Sequence, residues 1–315
     1  MPGPGEVRIA VHAIGVNFAD VLARVGLYPD APSPPVVVGY EVAGVIDAVG
    51  AQVENRRVGD RVLALTRFGG YSTSIVVPAR HALLVPSRLS DVAAAAIPVN
   101  YLTAFAALYK LGNLAAGETV LVHGAGGGVG IAAIQLAQLR KAQIIGTASS
   151  AKHEAIRKLG VEHVIDPLRT DVSADVRRLT GGRGVDVVLD PIGGRHVRDS
   201  YRLLAPLGRL VVFGASSVVK ERRSWWRAGL MLLQMPSFKP MSLINDNRGV
   251  LGLNLGRLWT EEHRIAAMMA EILGHAEAGR LEPVVAKIFP LESAAEAHRF
   301  LQSRSNIGKV VLTTS

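Results

Sequence analysis

"LVHGAGGGVGIAAIQLA", residues 121–137, decides how this chain is read. Five glycines fall between Gly124 and Gly130, with an apolar run before them and a helix-like stretch from about Gly128. Missing side chains let a backbone approach a bound pyrophosphate, whose charge meets free amides and the positive end of the helix. No register gives a full GxGxxG; the best match is Ala125-x-Gly127-x-x-Gly130, with alanine first. The loop residues expected at a cofactor are therefore Ala125, Gly127, Gly128, Val129 and Gly130. A tight glycine turn without a ligand is the plain alternative, and the pattern on either side weighs against it.

Strands and helices alternate outward from this loop. "TVLVHG" (119–124), "QIIGTA" (143–148), "HVID" (163–166), "VDVVLD" (185–190), "RLVVFG" (209–214) and "VLGLNLG" (250–256) are six apolar runs of the buried parallel kind. "SSAKHEAIRKLG" and "TDVSADVRRLTG" read as helices between them. This is the pattern of a doubly wound α/β sheet. The first third reads as β instead: "VRIAVHAIGV" (7–16), "VVVGYEVAGVIDAVG" (36–50), "RVLAL" (61–65) and "YSTSIVVPA" (71–79) suit a small barrel or sandwich. From Ser90 an alanine-rich stretch starts with a Ser–Asp signal, and Pro98 breaks it into two helical pieces. Beyond the sheet come a long amphipathic helix, "TEEHRIAAMMAEILGHAEAGRL", another over 292–303 and the strand "GKVVLT", a tail expected to return to the first domain. The division is 1–98, 99–257 and 258–315.

At 315 residues the chain exceeds the size at which a single core keeps growing, so two domains are expected. Hydrophobic residues at 49% and charged residues at 19% make a globular composition. With no cysteine, a disulfide framework, thiolate zinc sites and a cysteine nucleophile are all excluded, and a reducing compartment fits. No basic region followed by an apolar one opens the chain, and no apolar run of roughly 18 residues reads as a membrane span. The cytoplasm is the expected location. The net charge of +9 comes from scattered arginines, among them Arg56, Arg57, Arg61, Arg177, Arg178, Arg222 and Arg223. They form no long basic tract, so no nucleic-acid partner is expected.

The choice of nicotinamide cofactor is read after the second strand of the sheet, where an NAD site places Asp or Glu for the ribose diol. Here Thr147, Ala148, Ser149 and Ser150 carry no charge, which leaves room for a 2′-phosphate. Lys152 supplies the opposing charge. NADP(H) is therefore favoured, with an ordinary first-turn surface lysine as the plain alternative for Lys152.

These segments resemble the medium-chain dehydrogenase/reductase superfamily, and within it the zinc-free quinone oxidoreductases. The likeness covers nearly the whole chain and rests on "VNFADVLARVGLYP" (16–29), "VVVGYEVAGVIDAVG", "GDRVLAL", "LVHGAGGGVG", "IIGTASS" and "NIGKVVL". "NFAD", "VNYLTAF" and "SLINDNRGVLGLNLG" look closest to the vesicle amine transport protein branch. The resemblance implies a GroES-like barrel domain, a Rossmann domain and a nicotinamide in the cleft between them. It also bears on metal. Zinc members carry a Cys in the segment matching "GVNFAD" and a His in a Gly-His-Glu motif, whereas this chain has Asn17 and Gly39-Tyr40-Glu41. No metal is expected, and His12, His81 and His123 read as packing or surface residues.

Without a metal to polarise a carbonyl, hydride must go to an acceptor that is already electrophilic, such as a quinone or an α,β-unsaturated carbonyl. By the resemblance, Asn17, Phe18 and Asp20 lie by the nicotinamide, with Asn17 also a catalytic candidate. Tyr28 points toward the substrate, where its hydroxyl can bind or protonate the developing oxyanion. A packing role for Tyr28, with water delivering the proton, stays open. Asn100, Thr103, Phe213, Gly214, Asn254, Asn306 and Lys309 complete the implied cofactor residues, together with Ser149 and Lys152. Lys309 can equally cap a sheet edge.

Two departures stand out. Family members carry a strand hairpin before the segment matching "PGPGEVRI", so a barrel short of its first strands, with an open edge, is expected. "KERRSWWRAGLMLLQMPSFKPM" (220–241) is a basic, aromatic and apolar insert, a substrate lid, a subunit contact or a membrane-surface patch. The leading expectation is an NADPH-dependent quinone or enone reductase acting as a homodimer. An enoyl-thioester reductase and a non-catalytic nucleotide-binding adaptor are the alternatives.

Overall fold

Alternation in "EVRIAVHAIGV" puts Val7, Ile9 and Val11 on one face, and Glu6–Val16 forms strand β1 with those three side chains buried. In this computed structural model, which describes residues 1–28, 30–214, 216 and 234–314, the chain divides into two compact units. One is Met1–Leu102 with Glu261–Ser315, the other Thr103–Thr260. The readings placed on 220–241 fall largely outside the described residues.

In the first unit, β1 leads into helix α1 (Phe18–Arg24), capped by Asn17. Strands β2 (Glu41–Val49), β3 (Arg61–Leu65), β4 (Ser74–Pro78) and β5 (Ala82–Leu84) follow. Helix α2 (Asp91–Ala94) starts where the Ser90 hydroxyl accepts the Ala93 N–H, and α3 (Pro98–Phe105) starts at Pro98, whose missing N–H costs nothing at that position. Residues 36–40, read above as the start of a strand, are held as a loop instead. Val37, Val38 and Tyr40 give their carbonyls to Gly69, Tyr71 and Thr66, so their hydrogen bonds go to the 66–71 segment rather than to a sheet.

The second unit holds β6 (Thr119–His123), α4 (Gly128–Leu139), β7 (Gln143–Thr147), α5 (His153–Lys158), β8 (His163–Ile165), α6 (Val172–Leu179), β9 (Val185–Asp190), α7 (His196–Arg202), β10 (Leu204–Val212) and β11 (Gly249–Gly252). Its strands are parallel, in the order β11-β10-β9-β6-β7-β8. The order reverses beside β6, so the carboxyl ends of β6 and β9 open the crevice where doubly wound sheets take their ligands. Leu121, Ile145, Val188 and Leu210 from the sheet pack with Val176 and Tyr201 from the helices.

The chain then returns to the first unit through helix Glu262–Glu277, β12 (Val285–Pro290), helix Ala294–Gln302 and β13 (Lys309–Thr313). The sheet there runs β12-β13-β1-β2-β3-β5, with β4 also on β1. One edge of β1 pairs with β4 near its start and with β13 near its end, while the other edge takes β2. The ladder shifts register between Val11 and Ala13. Next to that shift Gly44 comes so close to β1 that a side chain there would run into the Ala10 carbonyl. The apolar stretch Asp91–Leu111 is, among the described residues, long and apolar enough to cross a membrane, which the sequence reading had denied for any run, yet 78% of its window is buried inside the fold.

Gly44→Ala is expected to destabilise the protein by roughly 1–3 kcal/mol, because β1 and β2 must move apart. Gly274→Ala, within a helix and with open space around it, should instead stabilise by about 0.5–1 kcal/mol. Denaturant midpoints of the two variants test the pair, and shifts of the same sign would contradict the argument.

Candidate functional site

Beyond His123 the chain leaves β6 through Gly124, which adopts φ 65°, and turns back with the Gly127 N–H donating to the Gly124 carbonyl at 2.9 Å. Gly127 is the N-cap of α4 and offers no side chain to it, so the first-turn amides of α4 are open to an anion. A Cβ on Gly130 would strike the Gly124 carbonyl and Ala125, so helix and loop fit only with glycine there. Ala125 is buried, while Gly127, Gly128 and Val129 keep partial exposure. The donor set and the side-chain-free surface fit a dinucleotide pyrophosphate.

Ser149 precedes a single 3₁₀ turn, Ser150–Lys152, and its carbonyl accepts the Lys152 N–H at 2.9 Å. The stem of Lys152 lies across Gly126, where a Cβ would meet its Cδ at 2.8 Å. Lys152 and the glycine loop therefore share one corner. Thr147 braces the loop from within and is not at its surface. It is buried, and its hydroxyl accepts the Gly124 N–H at 3.3 Å and meets His123 Nδ1 at 3.1 Å. A carboxylate does stand nearby: Asp166, after β8, accepts the Ser150 N–H at 2.7 Å, the Ser150 hydroxyl at 2.5 Å and the Leu168 N–H at 2.9 Å. Those bonds hold its carboxyl below the usual range and engage both oxygens.

Beneath the loop lies a polar bridge that the sequence reading missed. The Ser200 hydroxyl donates to Asp190 Oδ2 at 2.9 Å and meets His123 Nε2 at 3.3 Å, and His196 Nδ1 reaches the same Asp190 oxygen at 2.9 Å. Asp190 Oδ1 accepts the Ile192 and Gly193 N–H groups. Burial, reinforced by the His196 charge, pushes His123 down to about 3. A neutral imidazole with its proton on Nε2 satisfies this chain, donating to Ser200 and accepting from Thr147. Burial works against the Asp190 carboxylate, but the bond and charge of His196 hold it far below its ordinary value. The only signals available were that His123 and Asp190 end adjacent strands. Phe213 and Gly214 follow β10 in the same unit, with the Phe213 N–H on the Asp190 carbonyl at 3.0 Å. Thr103 is buried in α3, and Asn254 is exposed, its side chain accepting the Gly256 N–H at 3.0 Å.

In the first unit the sequence-derived candidates converge on a buried ion pair. Lys309 Nζ donates to Glu41 Oε1, to Asn17 Oδ1 at 2.6 Å and to Asn100 Oδ1 at 3.4 Å. Glu41 Oε1 also accepts Asn17 Nδ2 at 2.8 Å, and its Oε2 accepts the Val99 N–H at 2.7 Å. Gly15 leaves the room this carboxylate fills. Lys309 belongs to β13, which lies between β12 and β1, so the sheet-edge alternative is corrected: there is no edge at this strand for it to cap. Asn306 orders the preceding turn, its Nδ2 donating to the Gly308 carbonyl at 2.8 Å.

Asp20 is fully buried on α1, accepting the Asn17 N–H at 2.7 Å, the Gly39 N–H at 3.1 Å and the Tyr71 hydroxyl at 3.2 Å. Burial pushes its pKa up to about 7. Phe18 is half-buried at the start of α1. Tyr28 packs edge-on against Tyr40, and Tyr40 against Phe68. Asn17 and Tyr40, at the positions where zinc members carry ligands, thus present an amide committed to an ion pair and a phenol. Among the described residues no group of three or more His, Asp or Glu is gathered to hold a metal ion.

Residues 3–87 match the alcohol dehydrogenase GroES-like domain and residues 159–312 the zinc-binding dehydrogenase family. The chain belongs to the medium-chain dehydrogenase/reductase superfamily of nicotinamide-dependent oxidoreductases. It is 42% identical to a zebrafish (Danio rerio) synaptic vesicle membrane protein VAT-1 homolog over 98% of its own length, and spans 64% of that relative. Among solved structures it is similar to Escherichia coli quinone oxidoreductase complexed with NADPH, with a TM-score of 0.86 and 30% identity over 99% of this chain and 92% of that one. It is likewise similar to CurK enoyl reductase, with a TM-score of 0.84 and 32% identity over 99% and 92% of the two chains.

Removing one member of a buried pair strands the other charge, so Lys309→Met should cost about 3–5 kcal/mol, and adding Glu41→Gln should recover part of the loss. A double-mutant cycle by chemical denaturation measures this. The raised pKa of Asp20 means that the folded state holds a proton the unfolded chain has released. Its contribution to stability is therefore lost as pH rises from about 4 to about 7, by a few kcal/mol at most. Urea titrations of the wild type against Asp20→Asn across that window should show the difference, and parallel pH profiles would refute it.

Proposed function

We propose that the protein is a zinc-independent, NADPH-dependent reductase of quinones or α,β-unsaturated carbonyls. The observation that carries this reading is the closed set formed by Lys309, Glu41, Asn17 and Asn100. A metal ion at Asn17 would have to displace a buried ammonium already matched to its acceptors, so the acceptor's electrophilicity must come from its own conjugation. The reduced nicotinamide supplies hydride when bound. The amides of the glycine loop and of α4 hold the pyrophosphate, and Lys152 meets the 2′-phosphate. Asn17, Asn100 and Thr103 shape the nicotinamide end, Tyr28 borders the acceptor, and water provides the proton. The likeness to the E. coli quinone oxidoreductase, solved with NADPH, supports both the acceptor class and the cofactor. We further place the protein in the cytoplasm as a homodimer, which sedimentation would test.

The likeness to CurK favours one second reading, reduction of an enoyl thioester. Competition between a quinone and a crotonyl thioester for NADPH consumption separates the two. NADPH binding without consumption by either acceptor would leave the adaptor reading.

A charge-assisted contact to the 2′-phosphate contributes about 1.5–3 kcal/mol, so Lys152→Ala should weaken NADPH binding roughly 10- to 150-fold and leave NADH binding nearly unchanged. Because Thr147 is buried, the opposing substitution belongs at Ser149: Ser149→Asp should shift preference toward NADH. Paired titrations with both cofactors provide the test. Equal losses for the two with Lys152→Ala would move the lysine from the 2′-phosphate to the pyrophosphate or to general stability.

A further inference from the structure

Tyr71 joins two buried groups that come from opposite ends of the chain. Its hydroxyl donates to Asp20 Oδ2 at 3.2 Å and lies 2.9 Å from Nε2 of His298, on helix Ala294–Gln302. The two rings meet edge to face, with centroids 5.7 Å apart. Asp20 is fully buried and His298 nearly so, and His298 Nδ1 finds no partner among the described residues. The charged and titratable groups around them are Lys309 of β13, Glu41 of β2 and Tyr40 toward Asp20, and Arg24 of α1 toward Tyr71 and His298. Burial pushes Asp20 up to about 7 and His298 down to about 4. Near neutral pH the carboxyl therefore changes its charge while the imidazole stays neutral. Tyr71 has one proton, so it must donate to one of these neighbours and accept from the other.

We infer that Asp20, Tyr71 and His298 form a wire for one proton, entered at His298 Nδ1, which couples the charge on Asp20 to the tautomer of His298. With Asp20 ionised, Tyr71 donates to its Oδ2 and accepts the His298 Nε2–H, so Nδ1 carries a bare lone pair. A proton taken up at Nδ1 releases the Nε2 proton to the Tyr71 oxygen, and the Tyr71 proton passes to Asp20 Oδ2. Tyr71 and His298 each gain one proton and lose one, so only the carboxyl changes charge. Both hydrogen bonds are then reversed: Asp20 donates to Tyr71, Tyr71 donates to Nε2, and the imidazole proton sits on Nδ1. Buried polar atoms are nearly always paired, and a point of entry accounts for the exception at Nδ1. At its other end the wire meets the capping box of α1, where Asp20 Oδ2 accepts the Asn17 N–H at 2.7 Å and Oδ1 the Gly39 N–H at 3.1 Å. A carboxylate holds those amides by charge-assisted bonds and a neutral acid holds them more weakly, so Tyr71 and His298 are positioning residues for Asn17. Placing Asn17 at a nicotinamide rests on the reductase reading above, whereas the wire does not.

The test follows the ¹⁵N ring resonances of His298 in histidine-labelled protein and the ¹³C carboxyl resonance of Asp20, in wild type, Tyr71→Phe and His298→Phe. In wild type the His298 proton should sit on Nε2 above the Asp20 transition and on Nδ1 below it, with one midpoint for both groups at about 7. Tyr71→Phe should leave the His298 tautomer indifferent to pH and, by removing a donor to the carboxylate, raise the Asp20 midpoint by about 1–2 pH units. His298→Phe should instead lower that midpoint by a similar amount, because a protonated Asp20 then leaves the buried Tyr71 hydroxyl without an acceptor. Residues that serve packing alone would not move it in opposite directions. A His298 that gains charge across the transition, or whose tautomer ignores Asp20 in wild type, would overturn the wire. So would a tautomer change that survives in Tyr71→Phe, or midpoints that move the same way in both variants. Wild type that shows the shared midpoint but binds no NADPH would sink the reductase reading and leave the wire in place.

Discussion

The first unit depends on a single buried charge pair. Taking an ammonium and a carboxylate out of water is costly, and attraction offsets that cost only when every remaining donor and acceptor is matched. Lys309 has three protons and finds three acceptors, in Glu41, Asn17 and Asn100. Both oxygens of Glu41 are likewise taken, by Lys309 and Asn17 on one side and by Val99 on the other. Through these bonds the last strand, the second strand, the cap of α1 and the start of α3 are held at one point. The requirement also explains a glycine with ordinary backbone angles: Gly15 yields its side-chain volume to the Glu41 carboxylate.

The second unit solves a related problem around an imidazole that stays neutral. A loop rich in glycine gains close approach to a ligand and loses rigidity. Rigidity returns from below, where Thr147, His123, Ser200 and Asp190 run in sequence from the Gly124 amide to the turn after β9. An imidazole that stays uncharged suits that chain, because it donates at one nitrogen and accepts at the other. The two carboxyl-end turns of the sheet are thereby joined, and the floor of the crevice is fastened on both sides of the strand-order reversal.

What sequence could reveal follows from the range of the forces involved. The six strands of the second unit were legible because strands covered on both faces read as unbroken apolar runs. The glycine loop was legible because its backbone demands are local. Helix α1 escaped notice: seven residues capped by Asn17 leave too short a period to read. Strand β12 was missed as well, being an outer strand with Lys287 and Ile288 exposed, and three-residue β5 was too brief to register. "VVVGY" reads as a strand by propensity but spends its hydrogen bonds on the 66–71 loop. The polar clusters were beyond reach altogether. Lys309 and Asn17 are 292 residues apart in the chain, and His123 and Ser200 are 77 apart, so no local pattern pairs them.

Strand β13 lies between β12 and β1, and it follows every other described strand in the chain. Residues 103–260, by contrast, form a continuous segment with its own parallel sheet. A ribosome therefore releases everything the second unit needs while the first still lacks a central strand and the cation that neutralises Glu41. Until Lys309 emerges, the partly built barrel carries an uncompensated acid and an open ladder along β1, and unpaired strand edges of that kind make a folding chain prone to aggregate. In chain order the first unit opens before the second and closes only after it.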